Sequence, residues 1–343
     1  MTADSLYLDH AATTPLLPAA RVAMLEGFQI WANPSSPHGP GRKARAALEN
    51  ARERVKTALC WNGEVVFTSG ASEALAMAMQ LCTLPLAAVS AVEHDAVLRH
   101  ASGVPRIGVD GLGIVSRAEC AHAGLVAIQQ ANSETGVIQP LDGVADLVRA
   151  AGGLLLADCA QAAGKLALPD ADLIALSAHK FGGPVGIGAL LVRDWAMLRP
   201  TGGQERGYRG GTENLPGALA MAAALEAGSD WLSGAVRLRH RLDEAIHASG
   251  GFSIAEETAR VPSIASYRMP GKSANAQLIR FDAMGIAVSA GSACSSGSLR
   301  ASHVLQAMGL TGAGEVIRVS IGRETSEADI ERFIAAWRIV AGP

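Results

Sequence analysis

The sequence has few charged and few aromatic residues, and it has no cluster of basic side chains. Charged residues make up 18% of the 343-residue chain, aromatic residues make up 4%, and the formal net charge is −3. A chain that is mildly acidic and has no basic stripe lacks the electrostatic footprint of a nucleic-acid-binding protein. We therefore expect no nucleic acid among its partners.

Segments that would enter a membrane or direct export are also lacking. The longest weakly polar run, residues 75–92, is interrupted by Gln80, Thr83 and Pro85, so a helix followed by a buried strand explains it better than a membrane span. The N-terminus has no basic stretch followed by an apolar core. The sequence predicts a soluble, cytoplasmic protein.

The five cysteines form no C-x-x-C pair, so neither a disulfide framework nor a structural zinc site is indicated. We expect free thiols, with Cys60, Cys82 and Cys120 buried as small apolar side chains. Several histidines also lack the spacing of metal ligands, and no metal site is predicted; these are His38, His100, His122, His240, His247 and His303.

What the sequence does contain is short apolar runs that alternate with helical patterns. The runs read as strands at residues 65–67, 86–92, 125–129, 154–157, 173–176 and 189–192. Continuously apolar strands separated by helices are typical of an α/β fold whose largely parallel sheet is covered on both faces. Helices are predicted over 218–228 and 236–247, and the mixed pattern after residue 263 indicates a second, smaller domain.

Asp158 follows the predicted strand at 154–157, in an apolar setting. A carboxylate there is costly unless it has a cationic partner, and the protonated pyridine nitrogen of pyridoxal 5'-phosphate (PLP) would supply one. Taken alone, Asp158 is better interpreted as a capping residue at the start of a helix.

Lys180 follows the next predicted strand and precedes a glycine-rich turn. A lysine at the end of a strand can reach a cleft and form a Schiff base with a carbonyl cofactor. Ser177 and His179 could donate hydrogen bonds to a phosphate. Most lysines lie on the surface, but the flanking serine, histidine and glycines favour the site.

Three further clusters complete the inventory of a PLP site. The turn at residues 68–73 joins a strand to a helix start, where backbone N–H groups and the Ser72 hydroxyl could hold a phosphate, although an ordinary helix cap looks the same. His94 could stack on a flat ring and exchange protons. Asn132 could bond the ring hydroxyl. Taken together with Asp158 and Lys180, these clusters predict a PLP-binding site.

Cys294 lies in a segment of small and polar residues, 289–297, that suits neither a packed strand nor a good helix. We therefore expect its thiol to be exposed. A reactive thiol needs access and thiolate character, and the sequence indicates only the access.

The chain resembles the cysteine desulfurases of the NifS/IscS type, which belong to the class V aminotransferase group of fold-type I PLP enzymes. The resemblance covers nearly the whole chain, in order, through residues 7–14, 33–38, 68–73, 93–94, 132–139, 158–165, 177–188, 202–214, 289–299 and 317–323. It implies a large PLP-binding domain at 12–250 with a mostly parallel seven-stranded sheet. A smaller α+β domain would comprise 1–11 with 251–343.

The resemblance also implies a role for each matching residue. Lys180 would be the Schiff-base lysine, Asp158 would face the pyridinium nitrogen, and His94 would stack on the ring. Gln161 and Asn132 would contact the ring oxygen side. The phosphate would be held by Ala71, Ser72, Ser177 and His179, and by Thr212 of the other subunit in a homodimer. Asn33 and Arg318 would bind the substrate carboxylate, and Cys294 would form the persulfide.

The activity implied is removal of sulfur from L-cysteine, giving L-alanine and a persulfide on Cys294 that is passed to an acceptor or scaffold protein. Ser133, Thr135 and Cys159 depart from the usual pattern, and Ser72 replaces a threonine conservatively. The chain ends soon after Arg323, where many members carry a longer tail that docks a scaffold. This leaves the acceptor open, in iron-sulfur cluster assembly or thiolation.

Two alternatives share much of this site. Another class V enzyme, such as an aminotransferase or a selenocysteine lyase, would need Lys180 and Asp158 but not Cys294. A sulfur-relay protein would bind PLP yet depend on a partner for turnover.

Overall fold

The computed structural model describes residues 5–291 and 302–342. The strands in these residues are β1 (Leu6–Tyr7), β2 (Glu64–Thr68), β3 (Leu86–Ser90), β4 (Arg106–Ile107), β5 (Leu125–Gln129), β6 (Leu154–Asp158), β7 (Leu173–Ser177), β8 (Gly188–Val192), β9 (Phe252–Ser253), β10 (Ile264–Arg268), β11 (Ile286–Ala287) and β12 (Val316–Ser320).

The helices in the same residues are α1 (Pro18–Gln29), α2 (Gly39–Ala58), α3 (Ala71–Leu81), α4 (Asp95–Leu98), α5 (Leu141–Ala150), α6 (Leu215–Glu226), α7 (Leu232–His247), α8 (Ala274–Ala283), α9 (His303–Ala307) and α10 (Glu327–Ala341). Among these described helices, none has both the length and the apolar character needed to cross a membrane.

The main sheet has seven strands, as predicted, and their order is β2-β8-β7-β6-β5-β3-β4. Strands β3 to β7 pair in parallel, whereas β8 runs antiparallel to both of its neighbours. Strand β2 therefore runs in the same direction as β7. The carboxyl ends of β2, β3, β5, β6 and β7 consequently meet at one edge, where open α/β sheets bind ligands.

Side chains alternate between the two faces of this sheet, and helices cover both. Val65 and Phe67 of β2 enter a core shared with α1, α2, α5 and α6, whereas Val66 enters a core shared with α3 and α4. Burial on both faces explains why the strands are continuously apolar in the sequence.

A separate hydrophobic core, called the second core below, lies outside the two that cover the faces of the main sheet. It is formed by β10, β12, α7, α8 and α10, together with Leu6 and Leu8 from the N-terminal segment. Leu242 and Ile246 of α7 are buried in it, so this core includes side chains that precede residue 250. The division into 12–250 and 1–11 with 251–343 stays a prediction.

Some element boundaries differ from the sequence predictions. Strand β3 ends at Ser90 rather than at residue 92, because the Ser90 hydroxyl accepts the N–H group of Val92 at 3.2 Å and turns the chain out of the sheet. Helix α6 begins at Leu215 rather than at residue 218, because the Asn214 side chain accepts the N–H group of Gly217 at 3.0 Å and caps the helix.

Cys60 was predicted to be buried, and that prediction is wrong. Its thiol is exposed, whereas Cys82 and Cys120 are buried as expected. Cys60 follows α2 in a left-handed conformation with φ of 51°, which ends the helix and turns the side chain outward.

Candidate active site

Asp158 is the last residue of β6 and is almost fully buried. One carboxylate oxygen, Oδ1, accepts the N–H group of Ala160 at 2.9 Å. Burial raises the pKa of Asp158, although the Ala160 N–H group, His94 and Lys180 oppose that shift. A buried carboxylate with a raised pKa is short of positive charge, so the position fits a cationic ring nitrogen.

Lys180 ends the short 3₁₀ turn Ala178–Lys180, which follows directly on β7. Its Nζ donates to the carbonyl oxygens of Ala11 at 2.7 Å and Ala12 at 2.8 Å. The same N-terminal segment is tied to the turn, because the Thr14 N–H group donates to the His179 carbonyl at 2.8 Å. The N-terminal residues therefore form one wall of the lysine's surroundings.

The turn before α3 lies against the end of β7. Gly70 has a φ of 154°, and a Cβ built there would lie 3.4 Å from the Ser177 hydroxyl oxygen. A Cβ on Gly188 would lie 2.6 Å from the Gly70 Cα, so the absence of side chains lets these backbones approach. No side chain caps α3, which leaves the N–H groups of Ala71 and Ser72 available. This is an anion-binding arrangement.

His179 lies between this cradle and the N-terminal segment, with Nδ1 3.2 Å from the Thr13 hydroxyl. Burial and then the charge of Lys180 lower the pKa of His179 to about 4. The ring is therefore neutral around pH 7, and it can offer an N–H group to an anion.

His94 and Asn132 both lie close to the segment that follows β3. His94 is half-buried, and its Nδ1 accepts the N–H group of Ala96 at 3.1 Å, so the neutral ring carries its proton on Nε2. The Asn132 amide oxygen accepts the N–H groups of Glu134 and Thr135, both at 2.9 Å, and its Nδ2 donates to the Val92 carbonyl at 3.3 Å. Only the second Nδ2 hydrogen is left for a ligand.

Gln161 is buried, and its Nε2 donates to the Ala11 carbonyl at 2.8 Å, the same oxygen that Lys180 contacts. Its Oε1 is buried and has no hydrogen-bond partner in the described residues. An orphaned acceptor at this point fits the hydroxyl group of a bound ring.

Arg318 comes from β12 and so from the second core. Its Nη1 donates to the Ser133 carbonyl at 2.8 Å, and its Nη2 forms an ion pair with Asp9 at 2.8 Å. The Nε group is buried without a partner in the part of the chain described. The guanidinium is thus held on two sides, and its Nε–H group is still unused for a carboxylate.

Two predicted residues are not brought into contact with the others. Asn33 is exposed, and its Oδ1 accepts the N–H group of Ser35 at 2.8 Å within its own turn. Thr212 is exposed in the loop before α6. In the described residues, no hydrogen bond joins either of them to Lys180, Asp158 or Arg318.

Cys294 lies outside the described residues, and only the flanks of its segment can be placed. On one side, Ser289 pairs with Arg318 through two backbone hydrogen bonds of 3.1 and 2.6 Å. On the other, the Ser302 hydroxyl donates to Glu134 at 2.6 Å, and His303 Nε2 lies 2.9 Å from the Glu93 carbonyl. Both flanks therefore begin beside residues of the site.

Sequence reasoning missed several residues that shape this site. Asp9 holds Arg318, and the carbonyls of Ala11 and Ala12 hold Lys180. Glu93 is fully buried, and burial followed by the charge of Asp158 raises its pKa well above its ordinary value. These residues lie in the matching segments 7–14 and 93–94, so the sequence indicated that the segments belong to the site. The residue types did not indicate which side chains they would contact.

The arrangement gathers an amine, a buried carboxylate, an anion cradle and a fixed guanidinium around one edge of the sheet. Comparison with known proteins agrees with it. Residues 6–333 match the aminotransferase class-V family. A relative from Cereibacter sphaeroides, named cysteine desulfurase, is 37% identical, and the match covers 96% of this chain and 94% of the relative.

Solved structures show the same fold. The NifS-like protein from Rickettsia africae ESF-5 superposes with a TM-score of 0.90 at 28% identity, covering 98% of this chain and 99% of that one. A structure described as SspA in complex with cysteine has a TM-score of 0.79 at 27% identity, covering 94% of this chain and all of that one (100%).

Proposed function

The chain belongs to the class-V aminotransferase family, and on that premise we propose that it is a PLP-dependent cysteine desulfurase that passes the sulfur of L-cysteine to Cys294. The observation that carries the proposal is the meeting of Lys180, Asp158 and the Gly70 cradle at the carboxyl edge of the sheet. The alternative class V activities are not favoured, because the curated relatives of near-equal length are named cysteine desulfurases.

The described residues fit PLP at each of its polar groups. The phosphate would be held by the N–H groups of Ala71 and Ser72, by Ser177 and by His179, whose neutral ring can donate without adding charge. The ring nitrogen would pair with Asp158. The orphaned Oε1 of Gln161 and the remaining Nδ2 hydrogen of Asn132 would face the ring oxygen, and His94 would cover the ring.

When bound, PLP withdraws electrons from the α-carbon of an amino acid attached to it. Asp158 supports this by keeping the ring nitrogen protonated. Lys180 Nζ holds the cofactor and, once the substrate has taken its place, removes the α-proton. The carbonyls of Ala11 and Ala12 keep the freed amine close to its working position.

Arg318 would bind the carboxylate of L-cysteine through its unused Nε donor, with Asn33 as the second proposed contact. Because Asp9 and Ser133 already fix two edges of the guanidinium, the substrate would be bound in one orientation. That orientation would direct its thiol toward the segment that carries Cys294.

The sulfur step is a thiol-exchange reaction. The Cys294 thiolate would form an S–S bond with the substrate sulfur while the carbon–sulfur bond breaks. Both bonding electrons stay with the carbon, which then takes up a proton, and the product is L-alanine. Cys294 would carry the persulfide until a thiol of an acceptor protein attacks it.

A homodimer would complete the site, with Thr212 reaching the partner's phosphate. Large apolar side chains that remain exposed on and beside α1 and in the loop before β8 support such an interface: Leu16, Val22, Leu25, Phe28, Trp31 and Val185. Apolar side chains that are exposed together on a single chain often mark an interface. Sedimentation of the purified chain would test this, and a strictly monomeric active enzyme would contradict it.

The experiment for the activity uses the purified chain with PLP, L-cysteine and a reductant. We expect sulfide and alanine in equal amounts. Lys180→Ala should abolish both products, and Cys294→Ala should reduce them by at least about 100-fold. Cys60→Ser, which changes another exposed thiol, is the matched control and should be fully active. Full activity of Cys294→Ala would contradict the persulfide role.

A further inference from the structure

Lys165 is a buried lysine for which the proposed chemistry has no use. It follows β6 by a few residues and is 9% exposed. An isolated ammonium group is expensive to bury, so the neutral amine is the favoured form there.

Lys165 lines the same small cavity as Lys180. The cavity has a volume of about 20 Å³ and lies between the main sheet and the second core. His10, Ser263 and Arg323 also line it, and the described residues of its lining include no aspartate or glutamate. Two amines therefore face one space of roughly the size of a water molecule, without a carboxylate on its walls to balance them.

The electrostatics around the cavity agree with this placement of the two amines. Burial and then Lys180 lower the pKa of Lys165 to about 7. Burial and then Lys165 lower the pKa of His10 to about 4, and its Nδ1 is buried without a partner among the residues that the structure describes. Arg323 adds a permanent charge. On its other side, Lys180 faces Asp158 and His179.

We propose that Lys165 is a positioning residue for the proton of Lys180: around neutral pH the two amines carry one proton between them, and a proton leaving Lys180 Nζ is taken up by Lys165 Nζ. This rests on the proposed function, because Lys180 must lose its proton to bond the cofactor's aldehyde carbon and to accept the α-proton. The transfer is between two nitrogens, so no electron donor or acceptor is required.

The test is a titration of the lysine side chains by NMR in the cofactor-free protein, labelled at the lysine ε-carbon and ζ-nitrogen. The chain has only five lysines, and Lys43 is exposed and serves as the internal control. In the wild type, Lys165 and Lys180 together should lose one proton about two or more pH units below Lys43. In Lys180→Met, the Lys165 step should rise by about one pH unit or more.

A second readout is the rate at which the cofactor-free protein takes up PLP. In Lys165→Met, Lys180 loses both the repelling charge and the proton acceptor that Lys165 provides. Uptake at pH 7.5 should therefore slow about tenfold, and the rising limb of the pH profile should move to higher pH by about one unit. Lys43→Met should leave the profile unchanged.

The inference is overturned if Lys165 titrates together with Lys43, or if its midpoint is the same with and without Lys180. Neither measurement needs L-cysteine or Cys294. Wild-type protein that takes up no PLP at any pH would instead contradict the proposed function, so the two failures can be told apart.

Discussion

Arg318 and Asp9 form an ion pair, with Nη2 lying 2.8 Å from Oδ1, that joins β12 of the second core to the N-terminal segment. Both side chains are largely buried, with 6% and 21% of their areas exposed. The pair brings together positions that are 309 residues apart. Asp9 thereby orients a guanidinium whose Nε–H group has no partner in the described residues and could meet a substrate carboxylate.

We predict that Asp9→Ala raises the KM for L-cysteine about tenfold and leaves kcat nearly unchanged, because the guanidinium loses the contact that aims it. Asp9→Asn keeps a hydrogen-bond acceptor and should have a smaller effect. Steady-state kinetics on both variants test this. A large fall in kcat with an unchanged KM would show that Asp9 does not act through substrate binding.

Asp158→Asn should lower kcat by at least about 100-fold, because a neutral amide cannot hold the proton on a ring nitrogen. The variant should still fold, since the side chain keeps its shape and can still accept the Ala160 N–H group. Asp170→Asn, at an exposed carboxylate, is the matched control and should be active. An Asp158→Asn enzyme with wild-type kcat would remove this residue from the mechanism.

Glu205→Gln should destabilise the fold by about 3 kcal/mol, because it leaves the Arg52 charge buried with a weakened partner. Arg52 and Glu205 are joined at 2.8 and 3.1 Å, and their side chains are 3% and 1% exposed. Glu64→Gln breaks a surface ion pair with Arg206 and should cost about 1 kcal/mol or less. Urea unfolding measures both, and equal costs would contradict the distinction.

Stability should fall as the pH is lowered from about 6.5 to about 4, partly because of His10. Its pKa is lowered to about 4 by burial and by Lys165, whereas an unfolded histidine titrates near 6.5. Between these pH values His10 is protonated in the unfolded chain but not in the folded chain, so lowering the pH favours unfolding. Above about pH 6.5 this contribution is constant.

His10→Asn should therefore lose part of the difference in unfolding free energy between pH 7 and pH 5. His240→Asn, at a ring that is 75% exposed, should keep the full difference. Urea unfolding at the two pH values checks the prediction. An identical pH dependence in wild type and His10→Asn would show that the His10 ring is not buried as a neutral group.

The sheet could be predicted from sequence because its strands are buried on both faces. The run at 125–129 coincides with β5, and 154–157 and 173–176 each fall one residue short of the observed strand. The extra residues are Asp158 and Ser177, polar side chains that sequence reasoning assigns to the site rather than to the strand. The apolar pattern therefore ends one residue before the strand does, at the polar side chains proposed for the site.

The part of the site that the main sheet provides could be predicted from the sequence. The contacts that the second core and the N-terminal segment provide could not. Asp158 and Ser177 end their strands and Lys180 follows one, and parallel strands bring their carboxyl ends together. The partner of Arg318 depends on how the second core packs, which no local pattern encodes. Lys165 lies in a matching segment, but the role proposed for it depends on the cavity that it shares with Lys180, which the sequence does not reveal.

Cys60 shows the limit of composition alone. Free cysteines are usually buried, but the left-handed residue that ends α2 places this thiol outside. Backbone conformation, not residue type, decided the outcome. The exposed Cys60 provides an internal control for Cys294 in any sulfur-transfer experiment.

The most direct test is to incubate the PLP-loaded protein with L-cysteine in the absence of reductant, weigh the intact chain and map the modified peptide. We predict a gain equal to one sulfur atom, located on Cys294, in the wild type and in Cys60→Ser. The gain should disappear in Lys180→Ala and in Cys294→Ala. Added sulfur on another cysteine, or alanine production without any added sulfur on Cys294, would contradict the account.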